Sequence, residues 1–183
     1  MRIIAGRHKG LRLASVGKGD PGAHLRPTTD RTRESLFNVL AGQGHPAGRV
    51  LDLFAGTGAL GLEALSRGAD HATFVEKGRI GTRLIRENLG LARRMDDATL
   101  LSCDATRLPP APAPCDLVFL DPPYGQDLGA PALASALAQG WIAPDALIVW
   151  EDSSPQDAPG FAVLSTRRYG DTHVTLLEPT DAP

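Results

Sequence analysis

From Arg49 onward the chain alternates short apolar runs with stretches of helical spacing, and that alternation restricts its fold more than any other feature. Val50 to Phe54, Ala72 to Glu76, Thr99 to Ser102, Leu117 to Leu120 and Ala146 to Trp150 read as strands. Ala59 to Ser66, Ile80 to Arg93 and Pro131 to Gln139 read as helices between them. Apolar strands without polar alternation are buried on both faces, and helical crossovers keep successive strands parallel, so helices are expected to cover both sides of one sheet. The tail breaks the pattern. Phe161 to Thr166 and Thr172 to Glu178 are strand-like runs joined only by Arg167 to Asp171, a gap too short for a crossover, which predicts an antiparallel pair. A plain dinucleotide-binding domain would keep alternating, so the closing hairpin points to a different branch of the doubly wound α/β folds.

The stretch before Arg49 has another character. Residues 2–5 and 11–14 flank Gly6-Arg7-His8-Lys9-Gly10, which predicts a small hairpin with a basic turn. Ser15 to Pro27, with its glycines and Pro21, reads as a loop. Thr28, Thr29 and Asp30 are N-cap candidates for a helix to about Leu40, with Leu36, Phe37, Val39 and Leu40 inside and Arg31, Arg33 and Glu34 on the opposite side. The expected organisation is therefore a hairpin and loop over 1–27 and a single domain over 28–183. A chain of 183 residues supports one sizeable core. Residues 1–35 hold eight Lys/Arg against three Asp/Glu, leaving a balance of −7 on the rest, and a basic end on an acidic body suits a polyanion contacted at one end. No run approaches the length of a membrane span, and the first residues lack a signal peptide's apolar core. Cys103 and Cys115 have neither disulfide-scaffold numbers nor metal spacing, so reduced thiols in a cytoplasmic protein are expected.

Val50-Leu51-Asp52-Leu53-Phe54-Ala55-Gly56-Thr57-Gly58-Ala59-Leu60-Gly61 is a strand, a glycine-rich turn and the start of a helix. Gly56 and Gly58 let backbone approach a ligand closely, and the helix N-terminus favours an anionic group such as a carboxylate. Asp52 would repel a phosphate but suits an ammonium group, and no GxxxxGK[ST] run is present. Glu76 ends the second strand, where an acid can accept both hydroxyls of a ribose. Asp104 follows the third and could accept from an adenine amino group. Each could be an ordinary strand-end carboxylate. Together, three acids ending three successive strands describe a ligand with an amino-acid end, a ribose and an adenine, which is S-adenosylmethionine. Phe54, Lys77 and Ala105 stand beside these acids and glycines and are included in the expected cofactor site, as is Asp121 after the fourth strand.

Cys115 to Gly125 supplies the reactive corner. The apolar strand ends in Asp121, Pro122, Pro123 and Tyr124, and successive prolines cannot continue a central strand because neither has an N–H for the ladder. A stiff loop at the carboxyl end of a buried strand lies where open α/β sheets bind ligands. It offers a carboxylate, carbonyls and an aromatic ring, the parts needed to hold a flat amino-bearing ring such as a nucleobase. Asp121 and the Pro122 carbonyl would accept the two N–H bonds of an amine while Tyr124 stacks on the base. Asp-Pro-Pro could instead be only a turn.

With DLFAGTGALGLEALSRGA, VEK, SCDA and DPPY in this order, preceded by LRPTTDRTRESLFNVL, the chain resembles the bacterial RsmD family of class I methyltransferases. The resemblance runs from Arg2 to about Glu178 and implies a Rossmann-like sheet of seven strands with the last inserted antiparallel. It implies methylation of the exocyclic N2 of a guanine in small-subunit ribosomal RNA, within a ribosomal particle, by a monomer that uses S-adenosylmethionine and releases S-adenosylhomocysteine. The family's turn often has glycine where this chain has Phe54. Arg7, His8, Lys9 and Arg12, with Arg26, Arg31 and Arg33, form the expected phosphate-binding surface, although Arg31 or Arg33 could pair with Glu34 or Asp30 on their own helix. No metal is expected. A DNA adenine-N6 methyltransferase uses the same tetrad but usually carries an added target-recognition segment. A non-catalytic RNA-binding relic of the fold would have no physical reason to keep Gly56, Gly58, Glu76 and the tetrad together.

Overall fold

Seven strands form one sheet in the order β3-β2-β1-β4-β5-β7-β6 in the computed structural model, which describes residues 1–17 and 28–180. In chain order the elements are α1 (Asp30–Ala41), β1 (Arg49–Leu53), α2 (Ala59–Ser66), β2 (His71–Val75), α3 (Arg79–Ala92) and β3 (Ala98–Leu101). There follow β4 (Cys115–Leu120), α4 (Gly129–Ala138), β5 (Ile142–Asp152), β6 (Phe161–Tyr169) and β7 (Thr172–Pro179). The pairs from β3 across to β5 are parallel, whereas β7 is antiparallel to both β5 and β6. The tail hairpin thus folds back so that the last strand enters the sheet between β5 and β6. The sheet, its alternation and this inserted strand are those that the resemblance to class I methyltransferases implies.

Alternation along β1, β4 and β5 sorts the core into two layers. Val50, Leu117, Phe119 and Val149 face α1, α2 and α3, while Leu51, Leu53, Val118, Leu120, Ile148 and Trp150 face α4. Each large side chain so buried contributes about 1.5–3 kcal/mol. α1 begins at Thr29, whose hydroxyl accepts from the Thr32 N–H at 3.2 Å, and buries Leu36, Phe37 and Leu40. All eight residues of α2 are buried, because the sheet covers one side and the N-terminal hairpin the other. That hairpin is a minimal ladder, an Arg2 to Arg12 bridge, but Ile3 and Leu13 are buried in the same core as α1 and α2. Glu63 of α2 holds it there by accepting from the backbone N–H groups of Ile4 and Ala5 at 2.8 and 3.0 Å.

One segment differs from expectation, and one loop takes an added role. β5 starts at Ile142, four residues before the expected Ala146, because Pro144 and Asp145 sit in an irregularity of the β4–β5 pairing rather than in a loop. The crossover from β3 to β4 has no helix; its Pro/Ala segment docks on α4 instead. Leu108 N–H donates to Ser135 Oγ, Ala111 N–H to the Gln139 carbonyl and Trp141 Nε1–H to the Pro109 carbonyl. The rigid Pro109 to Pro114 stretch therefore replaces the missing helix as cover for that face. Among the described residues no helix is long and apolar enough to cross a membrane.

Candidate active site

β1 and β4 lie side by side at the centre of the sheet, where the strand order reverses, with Leu53 paired to Leu120. The glycine turn follows the first and the Asp121 corner the second, so both open on one crevice at the carboxyl edge. Asp121 N–H still points to the Leu53 carbonyl, at 3.5 Å.

The turn is held from three sides. Phe54 has φ 59°, Gly56 φ 58° and Gly58 φ 78°, so a left-handed position that suits glycine is filled here by a phenylalanine. That explains why a glycine is common at this place in related turns. Glu76 Oε2 accepts from Gly56 N–H at 2.9 Å and Oε1 from Gly78 N–H at 2.6 Å. Asn88 of α3, which no motif marks in the sequence, donates to the Thr57 carbonyl at 2.9 Å and exchanges two bonds with the backbone of Ala14. One buried amide thus ties the glycine turn, α3 and the returning hairpin strand together.

The acids differ in electrostatic setting. Asp52 is buried, accepts from Gly61 N–H at 3.0 Å, and is pushed up to about 7 by burial, the Gly61 bond opposing and the nearby Glu76 charge adding. Asp104 lies below the usual carboxylate range because the Thr106 N–H and hydroxyl both donate to it, with Lys77 at 3.3 Å. It is a stable anionic acceptor at the crevice rim. The Lys77–Asp104 pair is exposed and contributes little to stability. Ala105, beside Asp104, is buried, and Phe54 is partly buried.

Asp121 is held well above its ordinary value, first by burial and then by the charges of Glu151, Asp52 and Asp152. Pro122 is buried, Pro123 is exposed, and the Tyr124 ring is more than a third exposed with its hydroxyl 3.1 Å from Thr172 Oγ1. Burial also raises the Tyr124 phenol. Glu151, at the end of β5, was not among the expected site residues. It is buried and raised by that burial, opposed by the hydroxyl of Thr28, which donates to its carboxylate at 3.1 Å. The rule that found Asp52, Glu76 and Asp104, an acid ending a strand, would have found it. Among the described residues no group of three or more His, Cys, Asp or Glu is disposed to hold a metal ion, and no Lys or Arg forms a salt bridge with Asp52, Asp121 or Glu151.

The basic residues are not all where the sequence placed them. Arg33 is fully buried and does not belong to a phosphate-binding surface; Nη2 donates to Asp30 Oδ1 at 2.6 Å and to the Arg2 carbonyl at 2.7 Å. Its helical position faces the hairpin rather than solvent, because the hairpin packs over that side of α1. Arg7, Lys9, Arg12 and Arg31 are exposed, and Arg26 lies outside the described residues. The hairpin tip contacts the end of α2, where Arg7 N–H donates to the Ser66 carbonyl at 2.7 Å. α2 descends from the crevice to the opposite edge of the sheet, so the tip lies about 12 Å below the crevice mouth. There Arg7, His8 and Lys9 join Arg93 and Arg94 around a cavity of about 510 Å³. His8 is kept below its ordinary value by burial and by Arg94 and Arg7, so it contributes no charge there.

A family model described as conserved hypothetical protein 95 matches residues 1–178. Ribosomal RNA small subunit methyltransferase D of Escherichia coli strain K12 is 39% identical over 159 residues, covering 87% of this chain and 78% of that protein. The Haemophilus influenzae protein of the same name is 37% identical over 155 residues, covering 82% of this chain and 78% of its own length. Among solved structures, the Escherichia coli protein yhhF shares 34% identity at a TM-score of 0.81 and covers 98% of this chain and 97% of that one.

Proposed function

Because the chain belongs to the RsmD family, we propose that it methylates the exocyclic N2 amine of a guanine in small-subunit ribosomal RNA, using S-adenosylmethionine and leaving S-adenosylhomocysteine. The observation that carries this reading is the shared crevice: the glycine turn after β1 and the Asp121 corner after β4 open side by side at the point where the strand order reverses.

The residues of the crevice fit that cofactor. Asp52, Asp121 and Glu151 gather negative charge where burial opposes it, so a cation is the group that would relieve them. The cofactor carries two, an ammonium and a sulfonium. Asp52 would face the first, Glu76 the ribose hydroxyls and Asp104 the adenine amine, with Gly56 and Gly58 leaving room for backbone contact and Phe54, Lys77 and Ala105 alongside. When bound, S-adenosylmethionine supplies an electrophilic methyl group.

An exocyclic amine on an aromatic ring is a weak nucleophile, because its lone pair is delocalised. Asp121 Oδ and the Pro122 carbonyl accept its two N–H bonds, which favours a pyramidal nitrogen, and the Asp121 carboxylate meets the positive charge that develops there. Tyr124 stacks on the base and fixes its plane. The rigid Pro122-Pro123 backbone holds these acceptors in place, so positioning supplies much of the rate. The guanine is swung out of its helix to reach them. Arg7, His8, Lys9, Arg12, Arg26 and Arg31 contact the RNA away from the flipped base, His8 through a neutral ring. The enzyme acts as a cytoplasmic monomer on RNA within a ribosomal particle.

The test is transfer of a labelled methyl group to small ribosomal subunits, to their naked RNA and to DNA, with the product nucleoside identified. N2-methylguanosine from either ribosomal substrate is expected; N6-methyladenine in DNA, or no transfer to any of them, would overturn the reading. Asp121→Ala is expected to lower turnover by at least about 100-fold.

A further inference from the structure

Glu151 stands one residue beyond Trp150, which pairs with Leu120 across the β4–β5 ladder. Carrying that register forward by one residue sets Glu151 beside Asp121. Side chains alternate along both strands: Phe119 and Val149 face α1 and α2, Leu120 and Trp150 face α4, and the next residue of each strand turns back to the α1 side. Asp121 and Glu151 therefore share a face at the crevice. Glu151 is only 7% exposed, and its carboxylate is fixed by the Thr28 hydroxyl, whose oxygen lies 3.1 and 3.4 Å from its two oxygens. Thr28 immediately precedes Thr29, the residue that caps α1, so the start of that helix positions the acid.

A second buried carboxylate next to Asp121 is unfavourable for folding, since desolvation and the like charge both act against it. Glutamine or an apolar residue would pack there without that penalty. Its chemistry matches one edge of one base. On guanine the N1–H lies next to the N2 amine, so that part of the edge presents two adjacent donors, with the O6 acceptor beyond them, and two adjacent carboxylates present acceptors to match. On adenine and cytosine the ring nitrogen next to the amine carries a lone pair instead, which a carboxylate repels.

Building on the proposed guanine-N2 activity, we propose that Glu151, positioned by Thr28, accepts the guanine N1–H while Asp121 holds the amine, and that this second acceptor makes the site choose guanine. Thr28 is a positioning residue and acts through Glu151. A site built to hydrogen-bond a substrate N–H rejects an analogue lacking it far more strongly than a shape difference could.

2-Aminopurine keeps the N2 amine, replaces N1–H with a lone pair and lacks the O6 carbonyl, so the change in preference on Glu151→Gln is what reports on the N1–H contact. Small ribosomal subunits reconstituted on RNA with guanine or with 2-aminopurine at the methylated position, mixed in one competition reaction, give a ratio of kcat/KM values that is independent of the fraction of folded enzyme. The parent enzyme is expected to prefer guanine by about 100-fold or more. Glu151→Gln, whose amide can donate to the lone pair, is expected to shrink that preference at least about tenfold. Thr28→Val is expected to move it the same way, and Thr28→Ser to restore it. An unchanged ratio in Glu151→Gln, or equal use of the two bases by the parent enzyme, would overturn the inference while leaving guanine methylation standing. Failure of the parent to methylate the guanine-bearing subunits would overturn the proposed function itself.

Discussion

Asp52, in the proposed cofactor site, would couple stability to ligand binding. Its carboxyl is raised to about 7 from an ordinary 3.8 by burial, so between those values the folded chain holds a proton that the unfolded chain has released. Stability therefore falls as pH rises across that window, by an amount on the order of 4 kcal/mol, and levels off above it. A cofactor ammonium favours the ionised form, so cofactor affinity is expected to climb with pH towards 7 by up to about tenfold per unit and then to plateau. Asp52→Asn keeps an oxygen for Gly61 N–H and is expected to flatten both profiles relative to the parent. Urea unfolding across pH checks the first and calorimetric titration of cofactor the second; an unaltered affinity profile in the variant would remove Asp52 from the ammonium site. The role of such residues was partly legible. An acid at a strand end can be read from the sequence, but its protonation depends on what buries it. Arg33 makes the same point in reverse, since its spacing on α1 suggested solvent and only the hairpin packed above it makes it an interior ion-pair residue.

At the scale of elements, the hairpin is a clamp on α2. Glu63 receives two of its backbone N–H groups, Ser66 Oγ donates to the Ala5 carbonyl at 2.6 Å, and Gly6 passes so close to the helix end that a Cβ there would sit 2.0 Å from the Ser66 carbonyl oxygen. Gly6 also has φ 81°, which L side chains adopt poorly. Gly6→Ala is expected to lift the turn from α2 and lower stability by at least about 2 kcal/mol, seen as a lower urea midpoint with an unchanged slope. Unchanged stability would mean that the hairpin is not held at this contact. The tip of the turn was readable from Gly6 and Gly10, because glycine marks a turn locally. Its seat on α2 was not, since the partners are some sixty residues away in sequence. The four prolines between Pro109 and Pro114 likewise exclude a helix locally, while the docking of that segment on α4 and Trp141 required the fold.

Across the whole molecule, the crevice and the basic tip of the hairpin occupy opposite edges of the sheet. Under the proposed function, an RNA that reaches both would wrap along the α1 and α2 side, and the tip would act on docking rather than on chemistry. Changing Arg7, Lys9 and Arg12 together to alanine is expected to weaken RNA binding and to reduce the slope of log affinity against log salt by about two to three. Turnover at saturating RNA and cofactor affinity are expected to stay near the parent's. A filter-binding series in salt checks this, and an unchanged slope would exclude the tip from the RNA contact.

The sequence by itself determined the strand and helix order, the antiparallel tail, the glycine turn and the acid-proline-proline-tyrosine corner, because periodicity, glycine and proline act on the few residues around them. Only the tertiary structure decided that Glu151 joins Asp121, that Thr28 holds it, that Asn88 braces the glycine turn, and that Arg33 is interior. Each of those relations joins residues distant in the chain, and burial, which sets both charge state and hydrogen-bond partner, exists only once the layers have packed.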